Sequence, residues 1–232
     1  MKPQPLEAAL YLVPTPIGNR EDITLRALRV LSSADLIAAE DTRSLRQLLA
    51  MYQIAPPPIV SCHEHNERMQ SRRLINAVTE GKAVVFCSQA GMPLVSDPGY
   101  RLVQEAIARG VRVVPLPGAN AALTALIASG MPVHEFTFVG FPPHKKGRRA
   151  FLDRIAALEQ TVILYESPHR IERLIAELVV VCGPERRCTL ARELTKVHES
   201  FYRGTLGEIA LQIGNTIPVR GEFVVLLHGR SE

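Results

Sequence analysis

Glu40-Asp41-Thr42-Arg43 follows an apolar run, so two acids and a guanidinium leave the end of a buried strand together. A well-placed carboxylate can take a proton from a hydroxyl near neutral pH, an effect of roughly 10²–10⁴ in rate. Glu40 or Asp41 can fill that role, or can orient Arg43 towards a phosphate. The same residues also suit a plain helix N-cap with a surface ion pair. Cys62-His63-Glu64-His65 contains metal-ligand types, and on an extended strand His63 and His65 point to one face. No second cluster at matching spacing accompanies them, so no metal is expected. A polar, substrate-facing role for His63 with Asn66 and Glu67 is expected instead. His144-Lys145-Lys146-Gly147-Arg148-Arg149 is the densest cationic stretch and lies between Phe141 and Phe151. Lys145, Lys146, Arg148 and Arg149 suit phosphates, and the rings suit unpaired bases. Positive charge at a helix start opposes the macrodipole, so helix stability does not explain the cluster. A solvated loop is the alternative.

Three loops rich in glycine and proline are the second source of chemistry. Val13–Thr24 contains Pro14, Pro16 and Gly18; Ser88–Tyr100 contains Gly91, Pro93, Asp97, Pro98 and Gly99; Pro117–Ala121 contains Gly118 and Asn120. Such residues can bring backbone close to a ligand; an ordinary capped strand-to-helix turn at Val13–Thr24 and a close helix–sheet contact after Gly118 are the alternatives. The middle loop is long for a strand-to-helix connection, and excess length is usually functional. Asp97 in it reads as a helix-start residue. None of the loops is a dinucleotide or nucleoside-triphosphate phosphate loop, which disfavours nicotinamide and triphosphate chemistry.

These side chains need a scaffold. Apolar runs at Ala8–Val13, Leu36–Ala39, Pro58–Cys62, Ala83–Cys87 and Val111–Pro115 alternate with helical spacings such as Leu25, Leu28, Leu31 and Leu45, Leu48, Leu49. Strands buried on both faces and separated by helices predict an α/β domain with a mainly parallel, doubly wound sheet. Its loops at the C-terminal strand ends are the three above, where such sheets bind ligands. Pro115-Leu116-Pro117-Gly118 predicts a boundary, giving domains 1–117 and 118–232. The second half predicts strands at Glu135–Val139, Thr161–Tyr165, Arg187–Ala191, Glu199–Gly204 and Glu222–His228. Helices are expected near Gly147–Leu158, Pro168–Val180 and Leu206–Ile213. Short links favour antiparallel pairing there, so this domain is α+β with a mixed sheet. The 47% hydrophobic and 22% charged composition is that of a globular protein. No apolar run is long enough to span a bilayer, and the N-terminal stretch lacks a secretory pattern, so a cytoplasmic protein is expected. Cys62, Cys87, Cys182 and Cys188 form no C-x-x-C pair and read as free thiols.

Taken together the stretches Val13–Thr24, Ala39–Arg43, His63–Glu67, Gly91–Tyr100, Pro117–Asn120, Phe138–Pro142, Tyr165–Arg170 and Ala191–Lys196 resemble the tetrapyrrole methylase superfamily. Within it they are most similar to the bacterial small-subunit rRNA cytidine 2′-O-methyltransferases. The resemblance implies S-adenosyl-L-methionine as cofactor in a cleft between two α/β domains, small-subunit ribosomal RNA as partner, a homodimer and no membrane. It implies cofactor contacts from Ile17, Gly91, Met92, Val95, Asn120 and Ala121, and from Tyr165, Glu166, Arg192 and Leu194. Glu40, Asp41 and Lys196 are the candidates for the catalytic base, and Arg43, His63, Asn66, Lys145, Lys146, Arg148 and Arg149 for RNA contact. One departure stands out: Gln89-Ala90-Gly91-Met92-Pro93 replaces the usual Asp-Ala-Gly-Thr-Pro. The rivals are a tetrapyrrole C-methyltransferase and an RNA-binding relative without catalysis.

Overall fold

The structure is a computed structural model and describes residues 5–230. The first four residues of the stretch that lacks a secretory pattern lie outside that range. The chain divides into two compact units, residues 1–120 and 121–232.

In the first unit, strands β1 (Ala9–Leu12), β2 (Leu36–Ala39), β3 (Ile59–Ser61), β4 (Ala83–Cys87) and β5 (Val113–Pro115) alternate with helices. The helices are α1 (Leu25–Ser33), α2 (Thr42–Met51), α3 (Glu67–Thr79) and α4 (Tyr100–Ala108). All strand pairs are parallel, in the order β3-β2-β4-β1-β5. Successive side chains of β1 face opposite layers, which is why the strand reads as an unbroken apolar run. Ala9 and Tyr11 pack with Val30, Leu31, Leu45 and Leu49 of α1 and α2. Leu10 packs with Leu74 and Ile75 of α3 and Leu102 and Ala106 of α4. Each fully buried leucine or isoleucine in these layers contributes about 1.5–3 kcal/mol of transfer free energy.

Strand order fixes where a ligand crevice opens. From β1 the chain crosses over β4 to reach β2, and from β4 it crosses over β1 to reach β5. The loops leaving adjacent strands β1 and β4 therefore depart in opposite directions. That is a topological switch point, and the crevice lies outside the C-terminal ends of these two strands.

The second unit holds α5 (Ala121–Ser129), β6 (Phe136–Gly140), α6 (Arg148–Ala156), β7 (Thr161–Glu166) and α7 (Ile171–Cys182). It continues with β8 (Arg187–Arg192), β9 (Ser200–Thr205), α8 (Leu206–Gln212) and β10 (Phe223–Leu227). Its sheet runs β6-β7-β10-β8-β9, with β6–β7 parallel and the other pairs antiparallel. Leu152, Leu174, Leu178, Leu190, Leu206 and Val225 anchor its core. A reciprocal capping box starts α8: Glu208 N–H donates to the Thr205 hydroxyl, and Thr205 N–H to the Glu208 carboxylate.

The unit boundary falls three residues after the expected break at Pro117. Residues 118–120 stay with the first unit because Gly118 packs on Pro14, and the Ala119 carbonyl lies over Gly91.

Candidate active site

The loops leaving β1 and β4 are stitched together across the switch point. Gly91 N–H donates to the Thr15 carbonyl at 2.9 Å, and Thr15 N–H donates to the Gly91 carbonyl at 3.0 Å. Beneath them the buried Ser88 hydroxyl lies 3.3 Å from the Ala90 and Gly91 carbonyls. Gly91 has φ +76°, and a β-carbon there would sit 3.2 Å from Ile17 Cγ2. At Gly118 a β-carbon would sit 2.6 Å from Pro14 Cβ. Both glycines thus let the loops pack closely against one another. Gln89 and Ala90 remain exposed at the tip, and Ile17, Met92 and Val95 are half-buried around it.

The rest of this loop is strained. Leu94 and Ser96 carry φ of +72° and +65°, and Gly99 reaches +123° with Phe86 where a side chain would go. Left-handed non-glycine residues cost about 1–3 kcal/mol each and persist where surrounding structure holds them, commonly at functional sites. What the strain delivers here is Asp97. Its carboxyl joins Glu40, Glu64, Ser96 and Tyr100 around a cavity of about 410 Å³ at the ends of β2 and β4. Burial pushes the Asp97 carboxyl up to about 6, with the Glu40 carboxylate adding to the rise and a hydrogen bond with Ser88 opposing it. Glu40 and Asp97 thus line one cavity, and Asp97 keeps its proton to a higher pH than an ordinary carboxyl.

The candidates for the base separate on this geometry. Asp41 caps α2, accepting from Arg43 N–H at 2.8 Å, Ser44 N–H at 3.2 Å and the Ser44 hydroxyl at 2.9 Å. The Ser44 hydroxyl, then the two backbone N–H groups, hold its carboxyl below the usual range, so it is a poor base. Lys196 is pinned 2.9 Å from both Glu193 and Glu222. Desolvation lowers its affinity for the proton, but the two carboxylates outweigh it and raise the ammonium above its ordinary value. It therefore holds its proton at neutral pH. Glu40 alone of the three faces the cavity. Asp97, which lines the same cavity, is absent from the sequence candidates: the residue reads as a helix start, yet α4 takes its cap from elsewhere.

That cap is Glu67. Its buried carboxylate accepts from Gly99 N–H at 3.1 Å, Arg101 N–H at 2.8 Å and Leu102 N–H at 3.4 Å. Asn66 is likewise engaged, accepting from His63 N–H at 2.9 Å and donating to the Ser61 carbonyl at 3.2 Å. Asn66 and Glu67, expected to face substrate, are held by these hydrogen bonds, and Glu67 also lines the cavity that holds Asp97. His65 is exposed, His63 is half-buried, and Arg43 is exposed one residue into α2. Among the described residues no group of three or more His, Cys, Asp or Glu is arranged to hold a metal.

In the second unit the Tyr165 hydroxyl accepts from Ala122 N–H at 3.1 Å, beside the start of α5 at Ala121, and its ring meets Phe138 and Phe141 edge-on. Glu166 and Arg192, expected at the cofactor, are internal. Glu166 pairs with Arg170 at 2.7 Å and lies 4.0 Å from Arg148. Arg192 donates to the carbonyls of Arg220 and His198. Leu194 is buried, between Glu193 and Thr195 in left-handed backbone. The basic cluster also splits. Lys145, Lys146 and Arg149 are exposed, whereas Arg148 is 5% exposed and donates to Glu177 at 2.7 Å and to the Pro143 carbonyl at 2.9 Å. Arg148 departs from the expected RNA contact because its guanidinium is buried and paired with Glu177, out of reach of a phosphate at the surface.

Comparison with known proteins places this arrangement. The family model for tetrapyrrole (corrin/porphyrin) methylases matches residues 9–210. A protein of Halalkalibacterium halodurans named ribosomal RNA small subunit methyltransferase I is 48% identical over 97% of this chain and 78% of its own length. One of the same name from Micromonospora olivasterospora is 49% identical over 96% of this chain and 71% of its own. Among solved structures, uroporphyrin-III C-methyltransferase from Thermus thermophilus, complexed with S-adenyl homocysteine, superposes with a TM-score of 0.65 at 23% identity. That match covers 95% of this chain and 97% of the other. A parallel sheet opening at β1 and β4, a mixed second sheet and the match from the first strand into α8 have one reading: the chain belongs to the tetrapyrrole methylase family.

Proposed function

We propose that the protein transfers the methyl group of S-adenosylmethionine to the ribose 2′-oxygen of a cytidine in small-subunit ribosomal RNA. The name of relatives 48% and 49% identical supports the RNA class. The observation that carries the reaction is the Glu40–Asp97 pair in a cavity beside the switch-point loops. These loops fit a methionyl sulfonium: Ile17, Met92 and Val95 offer half-buried apolar flanks beside the exposed residues Gln89 and Ala90. Asn120 ends the third loop on the same rim. When bound, the cofactor supplies an electrophilic methyl, so the protein's work is placement of the ribose and removal of its proton.

Asp97 takes that proton. A carboxylate with a proton affinity near the working pH is well matched to the task, and burial, with Glu40 adding to it, brings Asp97 there. The Gln89 and Met92 departures leave this pair untouched, because neither lines the cavity. Lys145, Lys146 and Arg149 supply cationic contacts to the RNA backbone. The small ribosomal subunit is the proposed partner and the cytoplasm the proposed location. A homodimer is proposed with them, supported by exposed apolar Ile127, Val133 and Phe136 in the second unit.

The test is transfer of labelled methyl from S-adenosylmethionine to small ribosomal subunits, with uroporphyrinogen as the competing acceptor. Ribosomal label that alkaline hydrolysis leaves in single nucleotides, not in an alkali-resistant dinucleotide, or label on the macrocycle alone, overturns the proposal. Sedimentation at micromolar protein tests the dimer.

A further inference from the structure

The outer surface of the α3–α4 layer carries a groove that no part of the proposed chemistry uses. A cavity of about 280 Å³ between the two helices is lined by Arg68, Ser71, Arg72, Arg101, Gln104 and Glu105. A second, of about 360 Å³, adjoins it along α3 and shares Arg68 and Arg72, with His65 at its head. We propose that this groove is a binding surface for the phosphodiester backbone of the RNA substrate, continuous with the rim of the active cavity.

Three observations carry it. First, Arg68, Arg72 and Arg101 are all exposed, and no salt bridge among the described residues engages them. Exposed arginines elsewhere are of both kinds: Arg149 pairs with Asp153 at 3.0 Å and Arg173 with Glu177 at 2.9 Å, while no salt bridge among the described residues engages Arg26, Arg46 or Arg73. It is the gathering of three in one groove that sets this site apart. The one carboxylate in the groove, Glu105, is already taken by Arg109 at 2.7 Å. Second, the placement is unfavourable for the helices themselves. Arg68 lies in the first turn of α3 and Arg101 in the first turn of α4, where the dipole repels cations. Glu67 already caps α4, so these side chains add nothing to the helix starts; three guanidiniums without a salt-bridge partner along one groove suit an anion with several oxygens, which phosphate backbone supplies in series. Third, the groove starts where the chemistry is. Tyr100 precedes Arg101, lines the cavity holding Asp97 and is 66% exposed, with Gln104 Nε2 donating to its hydroxyl at 2.9 Å. An exposed ring at that point suits stacking on an unpaired base, while the neighbouring phosphates run along α3.

The inference rests on the ribosomal RNA reading, and the experiment separates their failures. The triple variant Arg68→Gln, Arg72→Gln, Arg101→Gln is compared with wild type for binding to protein-free small-subunit rRNA and to assembled subunits between low and moderate salt. Wild type should show a steep fall of log affinity with log salt, and the variant's slope should be shallower by up to about two, at ~0.7 per single-strand contact. The charge-preserving triple Arg→Lys variant should keep most of the wild-type slope. Unchanged cofactor titration certifies folding, since these side chains lie on the outer face. A Gln variant with the wild-type slope on both substrates overturns the groove and leaves the RNA reading standing. A variant weakened only on assembled subunits means the groove meets ribosomal protein, which also overturns it. A wild type with no salt-dependent affinity for either substrate overturns both.

Discussion

Asp97 and Glu40 make opposite demands on one small cavity, and two measurements expose them. If Asp97 accepts the ribose proton, Asp97→Asn should lower single-turnover methylation by about 10²–10⁴ with cofactor affinity nearly unchanged. The wild-type chemical step should rise with pH and level off above about 6, where the carboxyl has lost its proton. Stability should run the other way. The folded protein holds the Asp97 proton up to about pH 6, against an ordinary value of 3.8. The Asp97 contribution to stability is therefore fully present below about 3.8, erodes as pH rises through 6, and is lost above it. Asp97→Asn should accordingly stabilise the protein at pH 7, by roughly 1 kcal/mol after solvent screening, or a few degrees in Tm. At pH 4 the gain should vanish. A variant that is less active and no more stable at pH 7 would identify Asp97 as a packing residue. Lys196→Met, by contrast, should leave the chemical step within about threefold, because its ammonium is already committed to Glu193 and Glu222.

Between elements, the telling residue is Glu67, which reaches from α3 to close the N-terminus of α4. Replacing it with Ala should cost about 1–3 kcal/mol in denaturant unfolding, since three N–H groups lose their acceptor inside the unit. This residue also shows where sequence reading stops. The five strands of the first unit are legible because burial on both faces makes each an apolar run, and all five lie within a residue or two of their expected bounds. The roles of polar residues are not legible in the same way. Asp97 beside Gly99 has the local pattern of a helix cap, but the cap arrives from 32 positions away. Local spacing carries no trace of that exchange. Gly91 and Gly118 were legible as special positions, though their partners, Ile17 and Pro14, come from a different loop.

For the whole molecule the question is which charges are scaffold and which are surface. Arg148→Ala should destabilise the second unit by about 3–5 kcal/mol, because Glu166 and Glu177 lose a buried cation. Its neighbours behave differently. Changing Lys145, Lys146 and Arg149 together to Gln should leave the unfolding midpoint nearly unchanged and flatten the salt dependence of RNA binding by up to about two. A flat response there would confine RNA contact to other surfaces. In the sequence these four residues form one cluster; only the fold, by turning Arg148 inward from the start of α6, tells them apart.

Because all five strands of the first sheet point the same way, everything chemical in that unit gathers on one rim, and the opposite rim is left as plain connection. Gly81 and Gly110 sit on that far side, each in left-handed backbone with no atom within 4 Å of where a side chain would begin. They are natural attachment points. A short, flexible, tag-bearing insertion at either turn would give a handle for immobilising the enzyme or for a fluorophore, facing away from the loops that do the work.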